Sequence, residues 1–410
     1  MIQTIRAGHL GLFAILIAAC TRSPSNRGID SAALPQDASV AETASEPLED
    51  DAATVEEPDA AVATGPRRVV ITGAGDIVLH RHVVQIAESF RETGGFSWML
   101  SRLAPIITPR EVAIVNLVGP MSSTHRPPWT GPHPALGGPN YLARNLARVG
   151  FDAVTLANSH ALDQRPEGLE ATLDLLDQAG MGGIGAGRSE DDAYAPWITE
   201  REGVRVAVVG YTERLAFAQS GVEARAYVAR DVSRVLAALT SARDGADVVV
   251  ACVYWGRDRA TSANANQRAL ARRMVDAGAD LVLGNGPSVL QSVERIESPR
   301  GDAVVAYSLG TLLSNYGSAW HQGVTERPSS DPMAVMYDPK TRDGALLRVQ
   351  FEIAGPNQVS LVSTSAVALW TVNFSGDIHV VPIRHAEDRI RAARLPAITA
   401  ALGSVVRVRP

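Results

Sequence analysis

The chain has 410 residues, of which 46% are hydrophobic and 20% are charged, and its formal net charge is −6 at pH 7. These values fit a globular protein with a substantial core and one large or two ordinary domains. No basic stripe with interleaved aromatic residues occurs, so the sequence gives no support for nucleic-acid binding.

The first 20 residues are typical of an export signal. Arg6 supplies a positive charge, and residues 10–17 form an apolar stretch that is too short to span a bilayer of roughly 30 Å. The small residues before Cys20 resemble the lipobox of bacterial lipoproteins, so we expect lipid attachment at Cys20. A cleaved signal with an incidental cysteine is the alternative. Thr21 at the next position favours the outer membrane if the cell has two membranes.

Residues 21–66 form a predicted disordered acidic linker. They contain ten acidic and two basic residues, so the segment carries a charge of about −8, and the rest of the chain is near neutral. They contain no aromatic residue and no apolar periodicity, so they cannot bury enough surface to fold. We expect them to hold the folded part away from a membrane.

From residue 67 to residue 330 the pattern predicts strands that alternate with helices. Strands are predicted at 69–71, 112–117, 153–156, 204–209, 248–253, 280–283 and 304–307. Helices are predicted at 83–91, 141–149, 166–179, 232–243 and 266–277. Apolar strands that alternate with helices indicate an α/β domain with strands buried on both faces.

Residues 331–410 are predicted to complete this fold. Stretches 334–337, 346–353 and 359–363 alternate apolar and polar residues, as antiparallel strands do, and a helix is predicted at 386–402. Cys252 lies inside an apolar strand and has no partner once Cys20 is lipidated, so we expect a buried, inert thiol.

Short motifs follow five of the predicted strands. ITGAGDIVLHR begins at Ile71, VNLVGPM at Val115, FDAVTLANSHALD at Phe151 and LGNGPSVLQSVE at Leu283, and a Tyr-Trp-Gly triplet begins at Tyr254. Over roughly residues 68–315 the chain resembles the CapA family, named for the poly-γ-glutamate capsule synthesis protein. That resemblance implies a metallophosphatase-like α/β/β/α sandwich with mixed sheets, a metal site at the strand ends and a role with an extracellular polymer.

Several site residues of the family have counterparts here. By the resemblance, Asp76 matches the first metal carboxylate, and Asn158 and His160 match retained positions, with His160 in contact with substrate. A turn or helix-capping role for Asp76 and a structural role for His160 are the alternatives.

Six other ligand positions are substituted. They are Val118, Ser159, Tyr254, Asn285, Gly286 and Ser288. A dinuclear centre needs about six to eight carboxylate, imidazole or amide ligands, and valine offers no lone pair. We therefore predict a retained scaffold with a vestigial site and no cofactor. If a cofactor binds, we expect a divalent metal such as Mn, Fe or Zn.

Other candidate groups lie near the same strand ends. A mononuclear site of Asp76, His80 and His160 is possible. His125, His133 and His321 lack ligand-like spacing. Arg81, Arg188 and Arg257 follow strands and could bind carboxylates or phosphates, although a solvated or ion-paired arginine is the simpler interpretation of each.

Two functions remain open from the sequence. The first is a membrane-tethered, non-catalytic binding or scaffold protein for an anionic envelope polymer or for capsule-assembly proteins, with which a purely structural envelope role is equally compatible. The alternative is a residual metal-dependent hydrolase, acting on phosphoesters or on γ-glutamyl amide bonds through Asp76, Asn158 and His160. The sequence contains no Gly-x-Ser-x-Gly motif, so it gives no support for nucleophilic catalysis.

Overall fold

A computed structural model describes residues 65–122, 135–216, 226–321, 327–328, 330–331, 333–355, 358–374 and 376–410. The predicted export signal, Cys20 and nearly all of the predicted acidic linker lie outside the described residues, as do His125 and His133.

The strands of the described chain are numbered in sequence order. They are β1 Arg67–Val78, β2 Glu111–Val118, β3 Ala153–Thr155, β4 Gly182–Ile184, β5 Ala186–Gly187, β6 Trp197–Arg201, β7 Val204–Thr212, β8 Tyr227–Val228, β9 Val248–Tyr254, β10 Leu281–Asn285, β11 Val293–Ser298, β12 Gly301–Ala306, β13 Thr311–Leu313, β14 Asp343–Gly355, β15 Gln358–Phe374, β16 Asp377–Pro382 and β17 Arg407–Arg409.

The helices follow the same numbering. The α-helices are α1 Arg81–Ser89, α2 Phe96–Met99, α3 Leu142–Val149, α4 Arg165–Ala179, α5 Glu190–Tyr194, α6 Val232–Ala242, α7 Ala265–Asp276 and α8 Asp388–Leu402. Short 3-10 helices cover Arg91–Thr93, Ala334–Tyr337, Pro339–Arg342 and Ile383–His385. No helix in the described ranges is both long and apolar enough to cross a bilayer.

Two mixed sheets contain most of these strands. Within the described residues, nine strands form the first sheet, in the order β16-β15-β14-β1-β2-β3-β4, with β13 beside β1 and β17 beside β15. Six strands form the second sheet, in the order β11-β12-β10-β9-β7-β6. β1, β2 and β3 run parallel to one another in the first sheet, and β7, β9 and β10 do so in the second. β5 and β8 form a separate ribbon.

The two sheets pack face to face with helices outside them. On β2, Val112 and Ile114 lie in the core between the sheets, whereas Ala113 and Val115 lie in the core beneath helices α1 to α4. The same alternation occurs on β9, whose other face packs against α6 and α7. Successive side chains of a strand point to opposite faces, so a continuous apolar stretch fills two cores at once. The expected α/β/β/α sandwich is confirmed.

The C-terminal stretches join the first sheet, with one correction. β14 pairs antiparallel with β1, and β15 extends well beyond the predicted segment 359–363. The predicted strand at 334–337 is wrong, because Ala334–Tyr337 is a 3-10 helix. The Asp331 carboxylate accepts a hydrogen bond from the Met333 amide (2.8 Å), and the Asp331 carbonyl accepts one from the Ala334 amide (2.9 Å). These bonds start a turn that competes with extended backbone.

Candidate functional site

The candidate site lies where the parallel strands of both sheets end. Asp76 pairs in register with Asn116 of β2, and its backbone amide donates to the Gly310 carbonyl (3.0 Å). Ser159 follows β3, Tyr254 ends β9 and Asn285 ends β10. The fold therefore gathers the retained and the substituted positions at one pole of the sandwich, as the resemblance implies.

Asp76 is a buried carboxyl group with two hydrogen-bond donors and no ion-pair partner among the described residues. The Asn116 amide donates to it over 2.7 Å, and the Gly286 backbone N–H is its second donor. Burial raises the pKa of Asp76 to about 7, and these two bonds only partly offset that rise. Burial without a cationic partner thus favours the protonated form of this carboxyl group.

The side-chain amides of Asn116 and Asn158 bond to other protein groups through both their nitrogen and their oxygen atoms. The Asn116 side-chain oxygen accepts a hydrogen bond from the Thr155 hydroxyl (2.5 Å), while its nitrogen donates to Asp76. The Asn158 nitrogen donates to the Leu117 carbonyl (2.7 Å), and its oxygen accepts from the His160 backbone amide (3.1 Å). Asn158 is completely buried, so it braces the turn after β3.

His80 points into the same region but is also occupied. Its Nδ1 accepts a hydrogen bond from the Asn315 backbone amide (3.1 Å), and its ring packs edge-on against Tyr316 with centroids 4.6 Å apart. Burial, with a smaller contribution from nearby His160, lowers the pKa of His80 to about 4. The neutral ring that accepts at Nδ1 carries its proton on Nε2, so neither nitrogen has a free lone pair for a metal.

His160 forms a hydrogen-bonded pair with Asp163, the last residue of the FDAVTLANSHALD motif, to which the sequence analysis assigned no role. Its Nδ1 lies 2.7 Å from Oδ2 of Asp163, which also accepts from the Leu136 amide (2.6 Å). The Asp163 side chain is fully buried, and that of His160 is 25% exposed. The i, i+3 spacing on a helical turn was the available signal. This pair retains the geometry of an oriented general acid or base.

Two of the substituted positions bond to each other across the sheets. The Ser159 hydroxyl donates to the Tyr254 hydroxyl over 3.2 Å. Burial raises the pKa of Tyr254 to about 12, with a smaller contribution from the Asp76 charge. The guanidinium of Arg214 lies 5.5 Å from the centre of the Tyr254 ring and bonds to Asp258 (2.9 Å). A neutral phenol in this position is a hydrogen-bonding group rather than a metal ligand.

The loop after β10 leaves no space for a side chain at position 286. Gly286 has φ +113°, and a Cβ atom there would lie 2.5 Å from the Trp255 carbonyl oxygen. Asn285 is buried, with its side-chain oxygen lacking a partner among the described residues, and Ser288 is buried in the left-handed region at φ +61°. Val118 is buried in the core beneath the helices. The loop is shaped by backbone packing.

The remaining candidates lie elsewhere or at the edge of the site. Arg188 is ion-paired with Asp174 (2.5 Å) and Asp177 (2.8 Å) of α4. Arg81 begins α1, and His321 is exposed. Arg257, just after β9, lines a cleft beside the site. The structure thus brings Asp76, His80, His160 and the substituted positions together, and leaves Arg188 outside.

No group of three or more His, Cys, Asp and Glu side chains within the described ranges is arranged to hold a metal ion. Among the positions at which the family resemblance implies a ligand, Asp76 alone carries a carboxylate. The side chains of Asp76, Asn116, Asn158 and His80 bond to other protein groups. These donor atoms therefore do not fit a two-metal centre.

Parts of this chain are similar in sequence to a known family and to known proteins. The family described as "Bacterial capsule synthesis protein PGA_cap" matches residues 70–316. A protein of Bacillus anthracis described as "Capsule biosynthesis protein CapA" is 26% identical over 282 residues, which is 67% of this chain and 65% of that protein. A protein of Bacillus subtilis (strain 168) described as "PGA biosynthesis protein CapA" is 27% identical over 253 residues, which is 59% of this chain and 62% of that protein.

The matches therefore span slightly less than two thirds of the length of these relatives. Among solved structures, a 5'-nucleotidase precursor from Thermus thermophilus has a TM-score of 0.43 at 14% identity and covers 81% of this chain and 58% of its own. A structure described as a novel phosphatase from Mycoplasma pneumoniae has a TM-score of 0.42 at 11% identity, covering 80% of this chain and 100% of its own.

Proposed function

Because the chain belongs to the bacterial capsule synthesis protein family PGA_cap, we propose that it takes part in the biogenesis of an anionic envelope polymer as a non-catalytic binding or scaffold protein. One observation supports this most directly. The Ser159–Tyr254 bond and the bond from Gly286 to Asp76 occupy positions at which the family resemblance implies metal ligands. These bonds join the two sheets at the end of the sandwich where the parallel strands terminate.

The side chains at this end of the fold support a function that uses no metal cofactor. A hydrolytic two-metal site requires several ionised or imidazole ligands around open coordination positions. Here Asp76 is the single carboxylate at the positions where the resemblance implies ligands, and Nδ1 of His80 is occupied by the Asn315 amide. Rearranging these groups around a cation would break at least the Asn116–Asp76 and Asn315–His80 bonds.

Metal analysis of the full-length protein tests this proposal. We expect protein purified without chelators to contain far less than one equivalent of Mn, Fe or Zn, and to gain no thermal stability from added Mn²⁺. Any cation that binds the folded state selectively raises the melting temperature. Near-stoichiometric metal that is lost in the Asp76→Ala variant would contradict the proposal. Binding to poly-γ-glutamate, measured by co-sedimentation, tests the proposed role as a polymer-binding protein.

A residual hydrolase remains the second candidate, because the His160–Asp163 pair is intact. A partly exposed imidazole oriented by a buried carboxylate can act as a general acid or base without a metal. This function predicts turnover of a generic phosphodiester or of a γ-glutamyl amide that disappears in both His160→Ala and Asp163→Ala. Activity that survives both substitutions would exclude this site as its source.

Export and lipid attachment at Cys20 complete the proposal. The lipobox-like sequence and the acidic stretch 21–66 support a tether that holds the domain near a membrane surface, with the outer membrane favoured in a cell with two membranes. Mass analysis of the membrane-associated protein should show a modified Cys20 as its first residue. A Cys20→Ser variant that remains in the membrane fraction would contradict the tether.

A further inference from the structure

A cleft lies on the helical layer outside the first sheet, away from the strand ends. Its volume is about 370 Å³, and its lining includes Arg91, Glu92, Thr93, Tyr141, Asn145 and Arg148. This volume is in the lower part of the range for ligand pockets, about 300–1,000 Å³, and suits a small molecule. The cleft lies at the far end of α1 from the candidate site, and α1 has nine residues, so its ends are about 13 Å apart.

Two consecutive glycines shape one side of the cleft. Gly94 has φ +122° and Gly95 has φ +56°, conformations that favour glycine. A Cβ atom at Gly95 would lie 3.0 Å from the Tyr141 ring and 3.4 Å from Oδ1 of Asn145. The turn after α1 therefore approaches α3 very closely, and this packing holds the two walls of the cleft together.

Asn145 presents a fixed hydrogen-bond donor to the cleft. Its side-chain oxygen accepts a hydrogen bond from the Ser97 backbone amide (3.3 Å). Its side-chain nitrogen makes no hydrogen bond to another residue in the described part of the chain. The residue is 8% exposed, so its orientation is set by packing. Because the oxygen is used within the protein, the nitrogen is the atom left for a ligand.

Opposite charges line the cleft without neutralising one another. Arg148 and Glu92 are exposed, and neither side chain has an ion-pair or hydrogen-bond partner among the described residues. Arg91 lies over the Tyr141 ring at 5.4 Å, and its ion-pair partner Glu88 is 3.8 Å away. An exposed pair at this distance contributes little, so the Arg91 guanidinium can bind a ligand. The lining thus offers two guanidinium groups and one carboxylate.

The Tyr141 hydroxyl is a polar group that the protein leaves unsatisfied. It is buried and makes no hydrogen bond of ordinary geometry within the described ranges. Burial, with a smaller contribution from the nearby Glu88 carboxylate, raises the pKa of Tyr141 well above its usual value, so the group is a neutral donor. Such groups are rare and each calls for an explanation. An anion that draws Arg91 off the ring also gives this hydroxyl access to an acceptor.

The mixture of groups on the walls selects the chemistry of the ligand. Arginine binds carboxylates and phosphates through paired hydrogen bonds, whereas a carboxylate accepts hydrogen bonds from hydroxyl groups. A ligand with one anionic group and several hydroxyl groups matches both, together with the excess of one positive charge. An amino acid is neutral overall and would leave one guanidinium without a counter-charge. Inorganic phosphate would be repelled by Glu92.

We propose that this cleft binds an acidic monosaccharide, a sugar ring that bears a phosphate or a carboxylate. Its anionic group lies on Arg91 and Arg148, one hydroxyl group donates to Glu92, and the Asn145 nitrogen donates to another. The cleft shares no residue with the strand-end positions, so the site is additional to the proposed function and does not depend on it.

Two variants of α3 test the role of the cleft. Arg148→Gln removes a cation that lines the cleft. Arg144→Gln removes a cation one turn earlier on the same helix, also exposed and without an ion-pair partner among the described residues, but outside the cleft. Both variants change the net charge equally. Binding of glucose 6-phosphate and of glucuronate to the full-length proteins is measured by NMR titration at about 0.15 M salt, where the screening length is about 8 Å.

We expect the wild type to bind at least one of these two acidic sugars. Arg148→Gln should bind it at least about tenfold more weakly, because charge-assisted hydrogen bonds are lost. Arg144→Gln should change the affinity less than about twofold. Thermal melting of both variants confirms that they are folded. The sugar that binds more tightly identifies the anionic group, phosphate or carboxylate.

Glu92→Gln separates a sugar from a simple anion. The substitution keeps the size of the side chain but removes its charge and one acceptor oxygen. Loss of the charge affects the acidic sugar and inorganic phosphate alike, whereas loss of the acceptor affects only a ligand with hydroxyl groups. The affinity for the sugar relative to that for inorganic phosphate should therefore fall several-fold. An unchanged ratio would contradict the contact between Glu92 and a sugar hydroxyl.

The remaining outcomes decide the ligand class. No binding of either acidic sugar by the wild type, or equal binding by the wild type and Arg148→Gln, would overturn the proposal. Inorganic phosphate that binds as tightly as the sugars would show that the ligand is a simple anion. Alanine that binds to the wild type and is lost in Glu92→Gln would show that it is a zwitterion. None of these results concerns metal or polymer binding, so the proposed function is tested separately.

Discussion

The hydroxyl of Ser159 donates a hydrogen bond of 3.2 Å to the hydroxyl of Tyr254, and this bond joins the ends of β3 and β9, which lie in different sheets. By the family resemblance, both positions are ones at which metal ligands are expected. Here two neutral hydroxyl groups meet directly. The contact joins the two sheets by a hydrogen bond that needs no ion.

The first prediction concerns the strength of this bond. Tyr254→Phe and Ser159→Ala should each lower the free energy of unfolding by about 1 kcal/mol, since each removes the hydrogen bond between the two hydroxyl groups. The double variant should lose less than the sum, with a coupling of about 0.5 kcal/mol or more. Urea denaturation measures all three.

Tyr211→Phe is the matched control for this cycle. Tyr211 is similarly buried, and the described part of the chain offers its hydroxyl no hydrogen-bond partner. Its loss should change stability by less than about 0.5 kcal/mol. Additive effects of Ser159→Ala and Tyr254→Phe would show that the two hydroxyl groups do not interact in solution.

The second prediction is that position 286 accepts only glycine. Gly286→Ala places a Cβ 2.5 Å from the Trp255 carbonyl oxygen at φ +113°, so we expect a loss of about 2–4 kcal/mol. Gly245→Ala is the control, because nothing lies within 4 Å of a Cβ at that glycine. A Gly286→Ala variant as stable as Gly245→Ala would mean that the loop differs in solution.

The third prediction is a pH dependence from Asp76. Its pKa is raised from 3.8 to about 7 in the folded protein, so the folded state holds a proton that the unfolded state releases. Stability from this group is therefore highest below about pH 4 and falls as the pH rises to about 7. The shift of about three pH units corresponds to about 4 kcal/mol as an upper limit.

The measurement is the free energy of unfolding between pH 4 and pH 8. In Asp76→Asn the contribution of this group disappears, so the curve should fall less steeply than that of the wild type. Asp191→Asn, at a carboxylate whose side chain is 96% exposed, should leave the curve unchanged. Parallel curves for the wild type and Asp76→Asn would contradict a raised pKa.

The fourth prediction concerns Cys252, which lies in the core between the sheets. It is 3% exposed, and burial raises the pKa of its thiol. The thiolate is the reactive form, so a thiol reagent should modify Cys252 only when the domain unfolds. Peptide mapping after labelling in buffer and in denaturant measures this separately from Cys20. Rapid labelling of Cys252 in the native protein would show that the sheets separate locally.

Much of the fold could be predicted because it depends on local patterns. The apolar stretches at β2 and β9 were identified correctly since a strand buried on both faces is apolar throughout. α4 begins with Pro166 in its first turn and ends at Gly180, which has φ +68°, as the sequence indicated. The segment Ala334–Tyr337 was mistaken for a strand because a four-residue alternation is too short to distinguish a strand from a turn.

The candidate site was only partly accessible from the sequence. The positions at which the resemblance implies metal ligands could be named from the sequence, but the hydrogen-bond partners of their side chains could not. Tyr254 is 95 residues from Ser159, and Asn315 is 235 residues from His80. Asp163 lies in the FDAVTLANSHALD motif, three residues after His160, but the motif alone does not indicate that the two side chains are bonded.

The sequence by itself determined the layered α/β architecture, the family resemblance and the positions at which that resemblance implies metal ligands, because these depend on periodicity and on residue identity at fixed spacing. The tertiary structure decided what those positions do instead. Hydrogen-bond partners, burial and the resulting pKa values depend on which strand ends meet, and the meeting of two sheets is a long-range property that residue spacing along the chain does not encode.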